Sequence, residues 1–126
     1  MTILVDSDVL IEVSRGRKRA VLDAWEAAID QGLNLACSPV TIAELWRGAR
    51  PPEFVLLEGL FGALSALPIR SSTGKLAGNI LRKYSGSHGV ELADSLIAST
   101  ALEYDAELWT HNHKHYPSPE IRFYRP

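Results

Sequence analysis

One cysteine and one methionine, Cys37 and Met1, are all the sulfur in 126 residues. A lone thiol excludes an intrachain disulfide and a cysteine zinc cluster. Its setting, Leu35-Ala36-Cys37, marks it as a buried, inert side chain rather than a nucleophile. Basic excess is missing too. Thirteen Lys and Arg against fifteen Asp and Glu leave a formal net charge of −2, so sheer basicity cannot carry nucleic-acid binding. That balance still admits an enzyme that holds cations in an acidic pocket and meets a phosphate backbone through them. No apolar run approaches the length of a membrane span. Asp6 interrupts the opening apolar run too early for a signal peptide. A soluble cytoplasmic protein with no membrane contact is expected. Internal repeats and low-complexity segments are absent. At this length one domain, residues 1–126, buries a core without disulfides or a structural metal.

What is present begins at the N-terminus. Ile3, Leu4 and Val5 form a continuous apolar run that ends in Asp6. Such a run reads as a parallel strand covered on both faces. A carboxylate just past its end stands where open α/β sheets bind ligands. Ser7 or Asp8 then caps a helix through Val13 that Gly16 ends. Arg15, Arg17, Lys18 and Arg19 make a basic cluster, either a solvated loop and helix start or a contact for phosphate or a partner. A helix is predicted over 19–31, stopped by Gly32, then a strand over 34–37. Ser38-Pro39 is a strong helix start for a helix over 39–49, broken by Arg50-Pro51-Pro52. Further helices are predicted over 53–64, 71–84 and from about Glu91 to Tyr104, the last with Leu92, Leu96, Ile97, Thr100 and Ala101 inward. Strands are expected at Leu67-Pro68-Ile69 and 107–110, with a last edge strand at Ile121-Arg122-Phe123. Residues 85–89 read as a flexible loop. Strands alternating with helices imply a mostly parallel sheet.

Three carboxylates resist a purely structural account. Asp6 follows the first strand, Glu44 lies mid-helix between Ala43 and Leu45, and Asp94 lies in the first turn of a mostly apolar helix. Each alone has an ordinary explanation, such as the helix dipole for Asp94. Together they can meet at the carboxyl edge of the sheet. Carboxylates gathered without matching cations repel one another, and hard divalent cations resolve that. Such ions polarise phosphoryl oxygens and activate water, the chemistry of phosphodiester hydrolysis.

Four ordered segments make this specific: Leu4-Val5-Asp6-Ser7-Asp8-Val9-Leu10-Ile11, Ser38-Pro39-Val40-Thr41-Ile42-Ala43-Glu44-Leu45, Leu92-Ala93-Asp94-Ser95-Leu96-Ile97-Ala98 and Leu108-Trp109-Thr110-His111-Asn112. With them the chain resembles the PIN-domain ribonucleases, most closely the VapC-type toxins of type II toxin–antitoxin pairs. The resemblance implies a three-layer α/β/α fold around a short, mostly parallel sheet of four to five strands. It implies an endoribonuclease dependent on Mg²⁺ or Mn²⁺, in which an activated water attacks phosphorus in line and leaves a 5′ phosphate. Asp6, Glu44 and Asp94 match the family's acidic metal ligands. Asn112 stands at a fourth position that is often aspartate and contributes no charge. Ser7 and Thr110 match small hydroxyl positions that could orient Asp6 or a water. Asp8 and Glu91 stand beside ligands, as outer partners or as helix-start residues. The resemblance also implies an RNA substrate, a cognate antitoxin and a homodimer.

His111, His113 and His115 alternate, as a metal-binding tract can. A short helix there scatters them, so a loop is the preferred reading over a zinc site. Trp25, Trp46, Phe54, Leu57 and Phe61 read as core positions, or in part as a groove for an antitoxin helix. A haloacid-dehalogenase-like phosphatase shares the early Asp-x-Asp, but Leu10 departs from its motif and a downstream lysine with paired aspartates is missing. A receiver domain needs an aspartate ending its third strand, and Ile69-Arg70-Ser71 supplies none. The remaining alternative is a non-catalytic PIN-like binding module for RNA or a protein.

Overall fold

The computed structural model describes residues 1–126. Four strands, β1 (Thr2–Val5), β2 (Asn34–Cys37), β3 (Ser65–Ala66) and β4 (Glu107–Trp109), form one sheet in the order β3-β2-β1-β4. Every pairing is parallel, and β1 at the centre aligns Leu4 with Ala36 on one side and Leu108 on the other. Six helices cover it: α1 (Ser7–Arg15), α2 (Arg19–Asp30), α3 (Pro39–Gly48), α4 (Phe54–Gly62), α5 (Ser71–His88) and α6 (Leu92–Glu103).

The alternation of side chains along β1 creates two cores. Ile3 and Val5 point to one face and pack with Leu10, Leu45, Leu57 and Trp109. Leu4 points to the other and packs with Ile80, Ile97, Ala98 and Leu108. Helices bury both faces, which is why β1 has no polar side. The result is the expected three-layer α/β/α arrangement, with four strands.

Local chemistry sets the helix boundaries. Ser38 Oγ accepts from the Val40 N–H at 3.1 Å, and Pro39 occupies the first turn. Ser38 is fully buried, so its replacement by alanine leaves an amide unmet. We expect Ser38→Ala to cost about 1 kcal/mol and to lower the melting temperature by about 4 °C in a thermal denaturation scan. Gly16 ends α1 and Gly89 ends α5, both with left-handed backbone, where glycine carries no steric cost.

Several expectations need correction. Asp6 caps α1, not Ser7 or Asp8: its Oδ1 accepts from the Ser7 N–H. The third strand is Ser65–Ala66, not 67–69. The Leu67 N–H still bonds Cys37 O at 2.9 Å, but Pro68 has no N–H to continue the ladder. Residues 85–88 are the last turn of α5, not a loop, because packing on α6 and edge contact of Tyr84 with His88 outweigh poor propensity. Helix α4 starts at Phe54, after a one-turn 3₁₀ helix at Pro51–Glu53. Residues 121–123 form no strand, only a parallel bridge between Leu108 and Phe123. Leu92 is 63% exposed; as the first residue of α6 it lies in a turn that nothing covers. Trp46 is also partly exposed and stacks on Phe54 at 4.5 Å, whereas Trp25 packs near Trp109. Cys37 is buried, and desolvation pushes its thiol up to about 11.

Candidate active site

Asp6 is the hub. It leaves β1 and caps α1 in the same residue, so a buried carboxylate is held at the sheet's carboxyl edge. Its Oδ1 accepts from the Ser7 N–H at 2.8 Å. Its Oδ2 accepts from the Thr110 hydroxyl at 2.9 Å and the Tyr116 hydroxyl at 2.8 Å. Thr110 is the residue after β4, the strand beside β1, so sheet register alone brings it to Asp6. Tyr116 arrives after a one-turn 3₁₀ helix at His113–His115.

Around this hub the other sequence-derived residues take their places. Ser7 Oγ donates to Glu44 Oε1 at 2.7 Å and lies 3.3 Å from Thr41 Oγ1, which ties α1 to α3. Asp8 Oδ2 accepts from the His111 N–H at 3.1 Å. Asp94 Oδ2 accepts from the Glu91 N–H at 3.0 Å, so the carboxylate caps its own helix. Glu91 is thus a helix-start residue, and its side chain is exposed. Asn112 donates its own N–H to Thr110 Oγ1, and its side-chain amide meets His115 Nδ1 at 2.9 Å. The same His115 nitrogen is 3.6 Å from Asp94 Oδ2, which places Asn112 at the rim beside Asp94. The three histidines diverge: His113 stacks on Phe123 at 4.0 Å and bonds Thr110 O, while His111 is engaged through its backbone.

The pocket is electrostatically unbalanced. None of Asp6, Asp8, Glu44 or Asp94 pairs with lysine or arginine. Burial and then the charge of Asp6 push the Asp8 carboxyl up. Partial burial raises Asp94 as well, with Asp6 and Glu91 adding to it and His115 opposing. Tyr116 is raised most, by desolvation, then by Asp6, then by Asp94 and Asp8. Asp8 Oδ1 is a buried oxygen with no hydrogen-bond partner.

These features fit a hard divalent cation. The donors are carboxylate oxygens, the negative potential has no protein counter-charge, and one buried oxygen lacks a donor. Glu44 Oε2 and Asp94 Oδ1 take no protein hydrogen bond, and Asp6 Oδ1 takes only that of Ser7. As they stand, no three His, Cys, Asp or Glu side chains converge closely enough to hold an ion. The carboxylates are held by separate hydrogen bonds, Glu44 by Ser7, Asp6 by Thr110 and Asp94 by Glu91.

Tyr116 is the residue the sequence reading missed. No spacing rule connects it to Asp6, 110 positions away. The only signal available was its position, six residues past Thr110 in a Pro-interrupted tail.

The sequence profile of the PIN domain matches residues 3–116. Ribonuclease VapC19 of Mycobacterium tuberculosis is 33% identical over 115 residues, covering 90% of this chain and 91% of that protein. Ribonuclease VapC10 of the same organism is 38% identical over 116 residues, covering 91% and 86%. Among solved structures, VapBC2 from Rickettsia felis bound to a promoter DNA fragment superposes with a TM-score of 0.81 at 20% identity, covering 98% of each chain. DNA-bound VapBC from Salmonella typhimurium gives 0.81 at 20% identity, with 98% and 97% covered. At that identity the structural likeness speaks to the fold.

Proposed function

Because this chain belongs to the PIN-domain family, we propose that it is an endoribonuclease, the toxin of a toxin–antitoxin pair, and that it works with Mg²⁺ or Mn²⁺. The observation that carries the metal-dependent reading is the acidic pocket itself: burial and then the charge of Asp6 push the Asp8 carboxyl up, burial and to a lesser degree Asp6 push Asp94 up, and no lysine or arginine answers them. Asp6, Glu44 and Asp94 are the residues that would hold the ion. A bound divalent cation would polarise a phosphoryl oxygen and ease the ionisation of water.

The chain's own residues do the rest. Thr110 and Tyr116 occupy Asp6 Oδ2 from behind, so Asp6 presents Oδ1 forward. Ser7 fixes Glu44 by one oxygen and leaves the other free. Asp94 is held at Oδ2 by the Glu91 N–H, which leaves its Oδ1 free for the ion. The Asn112–His115 pair borders Asp94 with polar groups that can bind the phosphate or the leaving oxygen. A cognate antitoxin and a second copy of the chain are the protein partners of this reading. The antitoxin is supported by the solved toxin–antitoxin structures that share this fold; no helix of the chain is long and apolar enough to cross a membrane.

The test is cleavage of a transfer RNA pool by antitoxin-free protein, with Mg²⁺, Mn²⁺ or EDTA. Metal-dependent cuts bearing 5′ phosphates, lost in Asp94→Asn, are expected. Equal cutting in EDTA and Mg²⁺ would remove the metal from the mechanism. A folded protein that binds RNA and never cuts it would be the non-catalytic module.

A further inference from the structure

A groove of about 360 Å³ begins beside Glu44 and runs along α1 between α3 and α4. Ile11, Leu45 and Leu57 form part of its wall, and Arg15 and Arg17 stand at its far end. Glu44 itself is hydrogen-bonded to Ser7, the neighbour of Asp6. The groove therefore shares Glu44 with the acidic pocket.

Neither arginine is in a salt bridge. Their neighbours are paired: Lys18 is 3.8 Å from Glu12, and Arg19 is 3.9 Å from Asp23. No carboxylate lies within ion-pair distance of Arg15 or Arg17. The groove's other acid, Glu53, accepts from the N–H and Nε of Arg50, and Arg15 adds only a weaker pull on the exposed carboxylate. One end of the groove is thus acidic and suited to a cation, and the other carries two guanidinium groups outside any salt bridge. From Asp8 to Arg15 the helix rises about 10 Å. That distance is within the reach of a strand a few nucleotides long whose scissile group lies at the acidic pocket. The apolar wall between them suits the faces of bases or riboses.

We propose that this groove is the subsite for one RNA strand, with Arg15 and Arg17 holding its phosphates on one side of the scissile bond. This rests on the ribonuclease reading above. It also gives the basic cluster after α1 a task that a solvated loop lacks. Guanidinium forks match phosphate oxygens in pairs.

Binding read apart from cutting tests it. A short unstructured fluorescent RNA is titrated in EDTA, by anisotropy, at several salt concentrations. The proteins are wild type, the double variant Arg15→Gln/Arg17→Gln, and Arg47→Gln. Arg47 is exposed and lies outside the groove, so it controls for loss of charge. The double variant is expected to bind at least tenfold more weakly and to lose about 1.4 from the slope of log K against log salt, two contacts at ~0.7 each. Arg47→Gln keeps both, and melting curves of all three should coincide. Unchanged affinity and slope in the double variant, an equal loss in Arg47→Gln, or no RNA binding by wild type would overturn the proposal. So would a double variant that keeps its RNA but releases a co-expressed antitoxin, since the groove would then belong to the protein partner. RNA binding that follows Arg15 and Arg17 without any cutting in Mg²⁺ would sink the ribonuclease reading and leave the subsite standing.

Discussion

Asp6→Asn is expected to slow RNA cleavage by more than about a hundredfold while the protein stays folded. Losing even an outer partner of a metal ligand costs about 10–100-fold, and this substitution removes the charge of the ligand itself. Asparagine keeps the size of the side chain and can offer one oxygen to Thr110 and Tyr116, which now bond Oδ2. Its amide cannot also accept from the Ser7 N–H. Against that loss stands relief of repulsion, because Asp6 raises both Asp8 and Asp94. The melting temperature without metal should therefore move little, and calorimetric titration with Mn²⁺ should lose its heat. Wild-type cleavage by Asp6→Asn in Mg²⁺ would place the chemistry elsewhere in the molecule.

Tyr116→Phe removes one oxygen and leaves the ring's packing in place. We expect divalent-cation affinity to fall about 10–100-fold, because Asp6 Oδ2 would lose one of its two hydroxyl donors and the carboxylate could rotate. The same variant changes the alkaline limb of stability. Burial, and then the charge of Asp6, holds the folded Tyr116 proton far above the usual tyrosine range. The unfolded chain releases it near pH 10. Tyr116 therefore contributes fully below about pH 10, and the contribution is lost as pH rises beyond that. Cys37, pushed up to about 11, adds a loss of the same sign in both proteins. Urea midpoints at about pH 8 and pH 11 should thus fall further for wild type than for Tyr116→Phe. Parallel midpoints would mean that the hydroxyl is not locked to Asp6.

What could be read in the sequence was local or periodic. Ile3-Leu4-Val5 announced a strand buried on both faces, Ser38-Pro39 a helix start, and Gly16 and Gly32 the ends of α1 and α2. Asp6, Glu44 and Asp94 stand out as candidates in the sequence because each sits at a strand end or on an apolar helix, where a carboxylate is out of place. Long-range packing hid the rest. Residues 85–88 lack helix propensity yet finish α5 against α6. The two-residue β3 is too short to have a period. Asp6 serves as helix cap and site hub at once, and only the fold shows that its Oδ2 faces Thr110 and Tyr116.

Those two hydroxyls lie 104 and 110 residues downstream of the carboxylate they hold. The central strand is made first, yet one of its neighbours, β4, is made last. Contacts so distant in sequence close late, after the entropy of a long loop has been overcome. A nascent chain that has emerged through α5 carries Asp6 and Glu44 but not Asp94, Thr110 or Tyr116, and so has no assembled pocket. Translation itself would then act as a safety interval: the growing polypeptide is harmless to the RNA around it until its final quarter has left the ribosome, when an antitoxin made nearby could already be waiting.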